Sequence, residues 1–112
     1  RGLRKSLDGF TVLGPWLTTA DEATGVEDAA IELAVNGTLR QHGRTSQLSL
    51  GIGALLAAAS RYFVLQPGDV VMTGTPPGVG PVEVGDELYC AIEGLGAMRV
   101  AVRGAVASEA QR

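Results

Sequence analysis

The stretch "VVMTGTPPGVG" at 70–80 gathers hydroxyls, rigid prolines and permissive glycines into one run. Thr73 and Thr75 can each offer a hydroxyl and a backbone amide. Gly74 between them lets the backbone come close to a bound molecule. Pro76 and Pro77 fix their φ angles and lack N–H donors, so the segment keeps its shape with little conformational entropy to lose. Such chemistry suits one wall of a small-molecule site. On local chemistry alone the plainer reading, a stiff connection between two strands, is favoured. The run is not a phosphate loop, because the Gly-Lys-Ser/Thr ending is missing, and it does not match the dinucleotide fingerprint.

Four other places could carry chemistry. Lys5 is the only lysine in a chain with eight arginines, and its compact ammonium has a tunable pKa. The plainer reading is a solvated residue beside Arg4. His42, the single histidine, follows a hairpin return and precedes Gly43, which reads as an exposed position. Cys90 alternates with apolar neighbours and reads as a buried, inert thiol. The acids form adjacent pairs in turns, Asp21-Glu22 and Asp86-Glu87, whose side chains diverge in extended chain. With no Glu-x-Glu or His-x-His spacing, a complete divalent-metal site within residues 1–112 is not expected.

These residues need elements to hold them. "AIELAVNGTLRQHG" (30–43) reads as a hairpin: Ile31, Leu33 and Val35 alternate, and Asn36-Gly37 supplies a type I′ turn. "SLGIGALLAAASRYFVL" places Ile52, Leu55, Leu56, Ala59 and Phe63 at helical spacing, with Ser49 as N-cap. "LQPGD" (65–69) ends that helix, and "VVMT" (70–73) reads as a strand. A second hairpin follows, with Leu88, Cys90 and Ile92 going out, "EGLG" turning, and Met98, Val100 and Val102 returning. Ahead of these, "FTVLGPWLTT" (10–19) is strand-like but broken at Gly14-Pro15, and 19–29 is an acidic loop. The tail "ASEAQR" reads as loose. One main helix among about six strands predicts an α+β domain, predominantly β.

Bulk properties narrow the function. Residues 1–112 suffice for one small domain. Hydrophobic residues make up 46 %, so a packed core is expected, and at 4 % aromatic it must be aliphatic. A net charge of −3 without a basic stripe argues against nucleic acid. The apolar run at 51–60 is too short to cross a bilayer, no signal peptide is visible, and a single cysteine fits a reducing, cytoplasmic compartment. Arg1 does not read as a natural start, which suggests a piece of a longer protein.

Three stretches together resemble the fumarylacetoacetate hydrolase family: "LRKSLDGFTVLGPWL" (3–17), "VNGTLRQHGRTSQL" (35–48) and "LQPGDVVMTGTPPGVGPVEVGDELYCAIEGLGAMRV" (65–100). Their order and spacing match the C-terminal part of its single catalytic domain, over residues 3 to about 103. The variant looks closest to bacterial members of aromatic catabolism. The resemblance implies a mixed β-sheet roll with one main helix, incomplete here at its N-terminal side. It implies a dimeric enzyme using Mg²⁺ or Mn²⁺ to chelate a 2-oxo acid or acylpyruvate, for C–C bond hydrolysis, decarboxylation, isomerisation or hydration. Lys5 matches the family's active-site lysine, and Thr75 the threonine of its Gly-Thr-Pro segment. Gly74 would let the backbone approach the substrate.

The same resemblance places the metal ligands, a Glu-x-Glu pair and an Asp, upstream of Lys5, along with the histidine of hydrolytic members, which His42 does not match. The missing part would be an N-terminal half on the same or a separate chain. The expectation is that residues 1–112 alone bind metal poorly and catalyse nothing. The competing expectation is an assembly fragment with a degenerate pocket. The enzyme reading requires Lys5 and Thr75 to converge on one ligand.

Overall fold

A computed structural model of the chain describes residues 2–105. Alternating apolar residues and the Asn36-Gly37 turn produce the first hairpin, β1 (Ala30–Val35) and β2 (Thr38–Arg44). Asn36 and Gly37 both take positive φ, 49° and 79°, as a type I′ turn requires. The second hairpin is β3 (Glu87–Ile92) and β4 (Gly96–Ala101). The two hairpins join through β1 and β3 into one sheet of order β2-β1-β3-β4, and every pairing is antiparallel.

The pairing sorts the side chains into two faces. Ile31, Leu33 and Val35 share a face with Leu88, Cys90 and Ile92, and with Met98 and Val100. The opposite face is polar or small: Arg99 lies 5.2 Å from the Tyr89 ring centroid and pairs with Glu87, and Glu32 stands 3.9 Å from His42. Two irregular segments cover the apolar face. Residues 78–82 lie over Leu33, Val35 and Leu88. Trp16 lies over the β3–β4 end, where its Nε1–H donates to the Leu95 carbonyl at 2.9 Å. Gly96 is needed there, since a Cβ would run into the Trp16 ring.

Two α-helices, α1 (Gly2–Ser6), which carries Lys5, and α2 (Ile52–Ser60), and two single 3-10 turns, Val26–Asp28 and Thr45–Gln47, complete the architecture of the described residues. The α+β, β-dominated class is as expected, but several elements differ from the sequence reading. Among the described residues there are four strands, not six. Neither 10–19 nor 70–73 enters a ladder. Each is an apolar run with no neighbouring strand to receive its backbone groups, and Gly14–Pro15, a cis peptide, interrupts the first. The main helix starts at Ile52 behind Gly51, whose lack of a side chain leaves the cap without a hydrogen bond. Ser49 is therefore not the N-cap, and Phe63 lies past the helix end. α1 falls in a basic, polar stretch to which the sequence reading assigned no element. The tail 107–112 lies outside the described residues.

The buried core is small. Only Ala29 and Val35 among apolar residues fall in the buried class, and Gln41 is the one buried polar side chain among the described residues.

Candidate functional site

The site is built on β2, and a bulge decides which β2 side chains face it. Val35 pairs with Thr38 and Ala34 with Leu39, but Leu33 then pairs with Gln41. Arg40 is the extra residue, left without a partner on β1. Past the bulge, Gln41 and Gly43 lie on the apolar face opposite Leu33 and Ile31.

The 73–80 loop crosses this part of β2. Gln41 Nε2 donates to Thr75 Oγ1 at 2.8 Å and to the Pro76 carbonyl at 2.6 Å. An ideal Cβ on Gly43 would stand 3.1 Å from the Pro76 ring, so only a residue without a side chain lets the loop lie this close. Gly78 approaches the Arg40 carbonyl, with no room for a side chain. Gly74 has φ +111°, a conformation that side-chain-bearing residues rarely adopt. The prolines, three close glycines and Gln41 therefore hold Thr75 in one place.

Beside the loop is a cavity of about 120 Å³ lined by residues 73–77 together with Ile31, Arg44, Thr45, Gln47 and Leu48. Arg44 brings positive charge to it, and two of its three guanidinium nitrogens are engaged. Its Nε donates to Asp28 Oδ1 at 2.7 Å and Nη2 to the Asp28 carbonyl, and Glu93 Oε2 is 3.7 Å from Nη2. Ser46 Oγ donates to the same Asp28 oxygen at 2.6 Å. The Arg44 hydrogen bond, with help from Ser46, holds the Asp28 carboxyl below the usual aspartate range. The Asp28 contact in turn favours charged Arg44. This network fixes the cavity rim.

No carboxylate lines this cavity. A hard divalent cation needs several oxygen ligands, usually carboxylates, so the residues here do not fit Mg²⁺ or Mn²⁺. Among the described residues no three His, Cys, Asp or Glu side chains are placed to hold a metal ion.

The sequence-derived candidates do not all line this cavity. Thr75 and Gly74 share the cavity wall. Lys5 lies on exposed α1 and is not among the residues lining that cavity. The α1 end is tied by Thr11 Oγ1, which donates to the Lys5 carbonyl at 2.6 Å. His42 is 60 % exposed on the polar face. Cys90 is half-buried, and burial pushes its thiol pKa up, which suits an inert group. It lines a larger cavity of about 380 Å³ under Trp16, but no charged residue lines that space, so the chemistry points to the smaller one. Sequence reasoning missed Gln41 and Arg44. A polar residue alternating inward on β2 was the available signal, and the bulge concealed it.

Comparison with known proteins gives a consistent picture. Residues 2–103 match the family described as fumarylacetoacetate (FAA) hydrolase C-terminal. The maleylpyruvate hydrolase of Aquipseudomonas alcaligenes is 48 % identical over 103 residues, covering 92 % of this chain and 36 % of that protein. A bifunctional isomerase/decarboxylase of 4-hydroxyphenylacetate degradation from Salmonella dublin is 40 % identical over 82 % of this chain and 21 % of its own length. Among solved structures, the maleylpyruvate hydrolase of Sphingobium sp. SYK-6, in complex with manganese(II) and pyruvate, superposes with a TM-score of 0.88. It is 44 % identical, over 94 % of this chain and 40 % of that one. The chain thus spans about a third of the length of the first of these curated relatives.

Proposed function

Because the chain belongs to the fumarylacetoacetate hydrolase family, we propose that it supplies the C-terminal part of a catalytic domain acting on 2-oxo acids, with acylpyruvate C–C hydrolysis the preferred reaction. The observation that carries this reading is the Gln41-anchored loop, which sets Thr75 and Gly74 on a cavity wall within the matched segment. The names of the relatives support the substrate class: maleylpyruvate is a 2-oxo acid, and pyruvate is the compound found with manganese in the Sphingobium enzyme. Decarboxylation, isomerisation and hydration remain within the same frame, because a fold alone does not fix the reaction.

In this reading Thr75 donates its hydroxyl proton to a substrate oxygen, and Gly74 lets the backbone stand close to the ligand. Lys5, by the family resemblance, would pair its ammonium with the substrate carboxylate or oxyanion once the complete site is assembled. The divalent ion, Mg²⁺ or Mn²⁺, is held by carboxylates outside these 112 residues, since the cavity has none. Those ligands come from an N-terminal half on the same or a separate chain, and the assembled enzyme is a homodimer. Among the described residues no helix is long and apolar enough to cross a membrane.

A second reading has one observation in its favour. Lys5 is exposed on α1, away from the cavity lining, as expected of an assembly fragment with a degenerate pocket. One experiment separates the two. The complete polypeptide carrying these residues is loaded with manganese and assayed with maleylpyruvate, as wild type, Lys5→Met and Thr75→Val. Each substitution should lower kcat/KM by about 100-fold or more, the size of one lost charge-stabilising contact. The 112-residue chain alone should show no turnover. Full activity in both variants would leave only the assembly reading.

A further inference from the structure

Gln41 is the single buried polar side chain among the described residues, 8 % exposed, and its amide serves only the candidate loop. Its orientation is fixed chemically. The Pro76 carbonyl can only accept a hydrogen bond, so the group 2.6 Å from it must be the amide nitrogen and not the amide oxygen. That nitrogen is also 2.8 Å from Thr75 Oγ1, so the Thr75 oxygen is the acceptor in this contact. A hydroxyl has one proton. With its oxygen engaged by Gln41, that proton is left to point away, and no other partner for it is seen among the described residues. The cavity is the space in front of Thr75.

We infer that Gln41 is a positioning residue that sets Thr75 as a hydrogen-bond donor, so that this wall of the site accepts an oxygen with lone pairs, a carboxylate or ketone oxygen of a 2-oxo acid, and not a donor such as an amine. The inference rests on the functional reading above. It extends that reading by giving the hydroxyl a direction and naming the residue that imposes it. The chain supports the arrangement at a second level: the Arg40 bulge turns Gln41 inward, and Gly43 and Gly78 let the loop come within reach.

The test is a double-mutant cycle in the complete, manganese-loaded polypeptide. It combines Gln41→Met with Thr75→Val and reads pyruvate affinity by calorimetry and maleylpyruvate kcat and KM. Gln41→Met alone should weaken pyruvate by about tenfold, the scale of one hydrogen bond to a charged group. Added to Thr75→Val, it should cost less than about twofold more, because its effect runs through that hydroxyl. Gln41→Glu supplies a second readout. Its ionised carboxylate would accept the Thr75 proton and turn it inward, whereas the protonated acid can donate as Gln41 does. Pyruvate affinity in Gln41→Glu should therefore recover as pH falls, relative to wild type, while Gln41→Met should show no such recovery. Losses that multiply in the double variant, or a Gln41→Glu profile parallel to wild type, would overturn the inference and leave the functional reading standing. Unchanged pyruvate binding and turnover in Thr75→Val, or no pyruvate binding by the wild type, would defeat the functional reading, and the inference with it.

Discussion

Gly74 and Gly78 hold nearly the same backbone angle, +111° and +107°, in very different surroundings. A Cβ on Gly74 would meet only Leu48 Cδ2, at 3.9 Å, so Gly74→Ala is opposed by backbone conformation alone. A Cβ on Gly78 would meet the Arg40 carbonyl as well. Gly74→Ala should destabilise by about 1–3 kcal/mol, the usual scale for a strained backbone angle. Gly78→Ala should cost more, because β2 or the loop must also move. Urea midpoints of the two variants check the order, and equal midpoints would show that the Arg40 contact does not constrain the loop. At this scale the sequence was informative where the residue type carries the chemistry. Thr75 and Gly74 stand out as a hydroxyl beside a permissive backbone, and both line the cavity. His42 is exposed as its neighbours suggested, whereas Cys90, expected to be buried, is half-buried with a raised thiol pKa.

Elements decide what residue types cannot. A regular two-residue hairpin around Asn36-Gly37 would have set Arg40 opposite Leu33 and His42 opposite Ile31, with Gln41 facing the polar side. The bulge between Leu33 and Ala34 reverses that, so Gln41 reaches Thr75. Nothing in the local pattern announces a one-residue slip, which is why the hairpin was legible and its functional side chain was not. Two aspartates tie these elements together. Asp28 anchors the turn at Val26–Asp28 to β2 through Arg44 and Ser46. Asp86 accepts from the Glu83 backbone at 2.8 Å and from Asn36 Nδ2 at 2.8 Å, joining the β1–β2 turn to the start of β3. Both carboxyls are held below their ordinary range, Asp28 first by Arg44 and Asp86 first by the Glu83 amide. A depressed folded pKa means that the unfolded chain binds more protons in the acid range, so stability rises with pH there. The contribution is fully present above the unfolded value of about 3.9 and is lost as pH falls through the lower folded values. Denaturation midpoints should hold from pH 7 to about 5 and fall below about 4. In an Asp28→Asn, Asp86→Asn double variant the neutral-pH midpoint should be lower and the acid limb flatter. An unchanged acid limb would mean that these two carboxylates do not carry it.

At the scale of the molecule the chain is loosely consolidated. Its Cα radius of gyration is 16.1 Å, whereas a compact domain of this size has about 13 Å. Leu17, Val64 and Tyr62 are 92 %, 84 % and 82 % exposed, and Leu3, Phe10, Trp16 and Phe63 are each above 60 %. Against this, the buried apolar core is Ala29 and Val35. Apolar surface on this scale marks a face that packs on other protein, and by itself it drives association. Composition could not foretell this: 46 % hydrophobic residues predict a core but not that so many of them lie exposed. The isolated 112-residue chain should therefore bind a hydrophobic dye such as ANS strongly and associate with rising concentration in sedimentation experiments. The complete polypeptide, with these faces packed, should bind far less dye per chain and keep one fixed assembly state. If the isolated chain sedimented as a monomer and left ANS dark, the exposed residues would have to pack on one another in solution, and no second half would be needed to complete the fold.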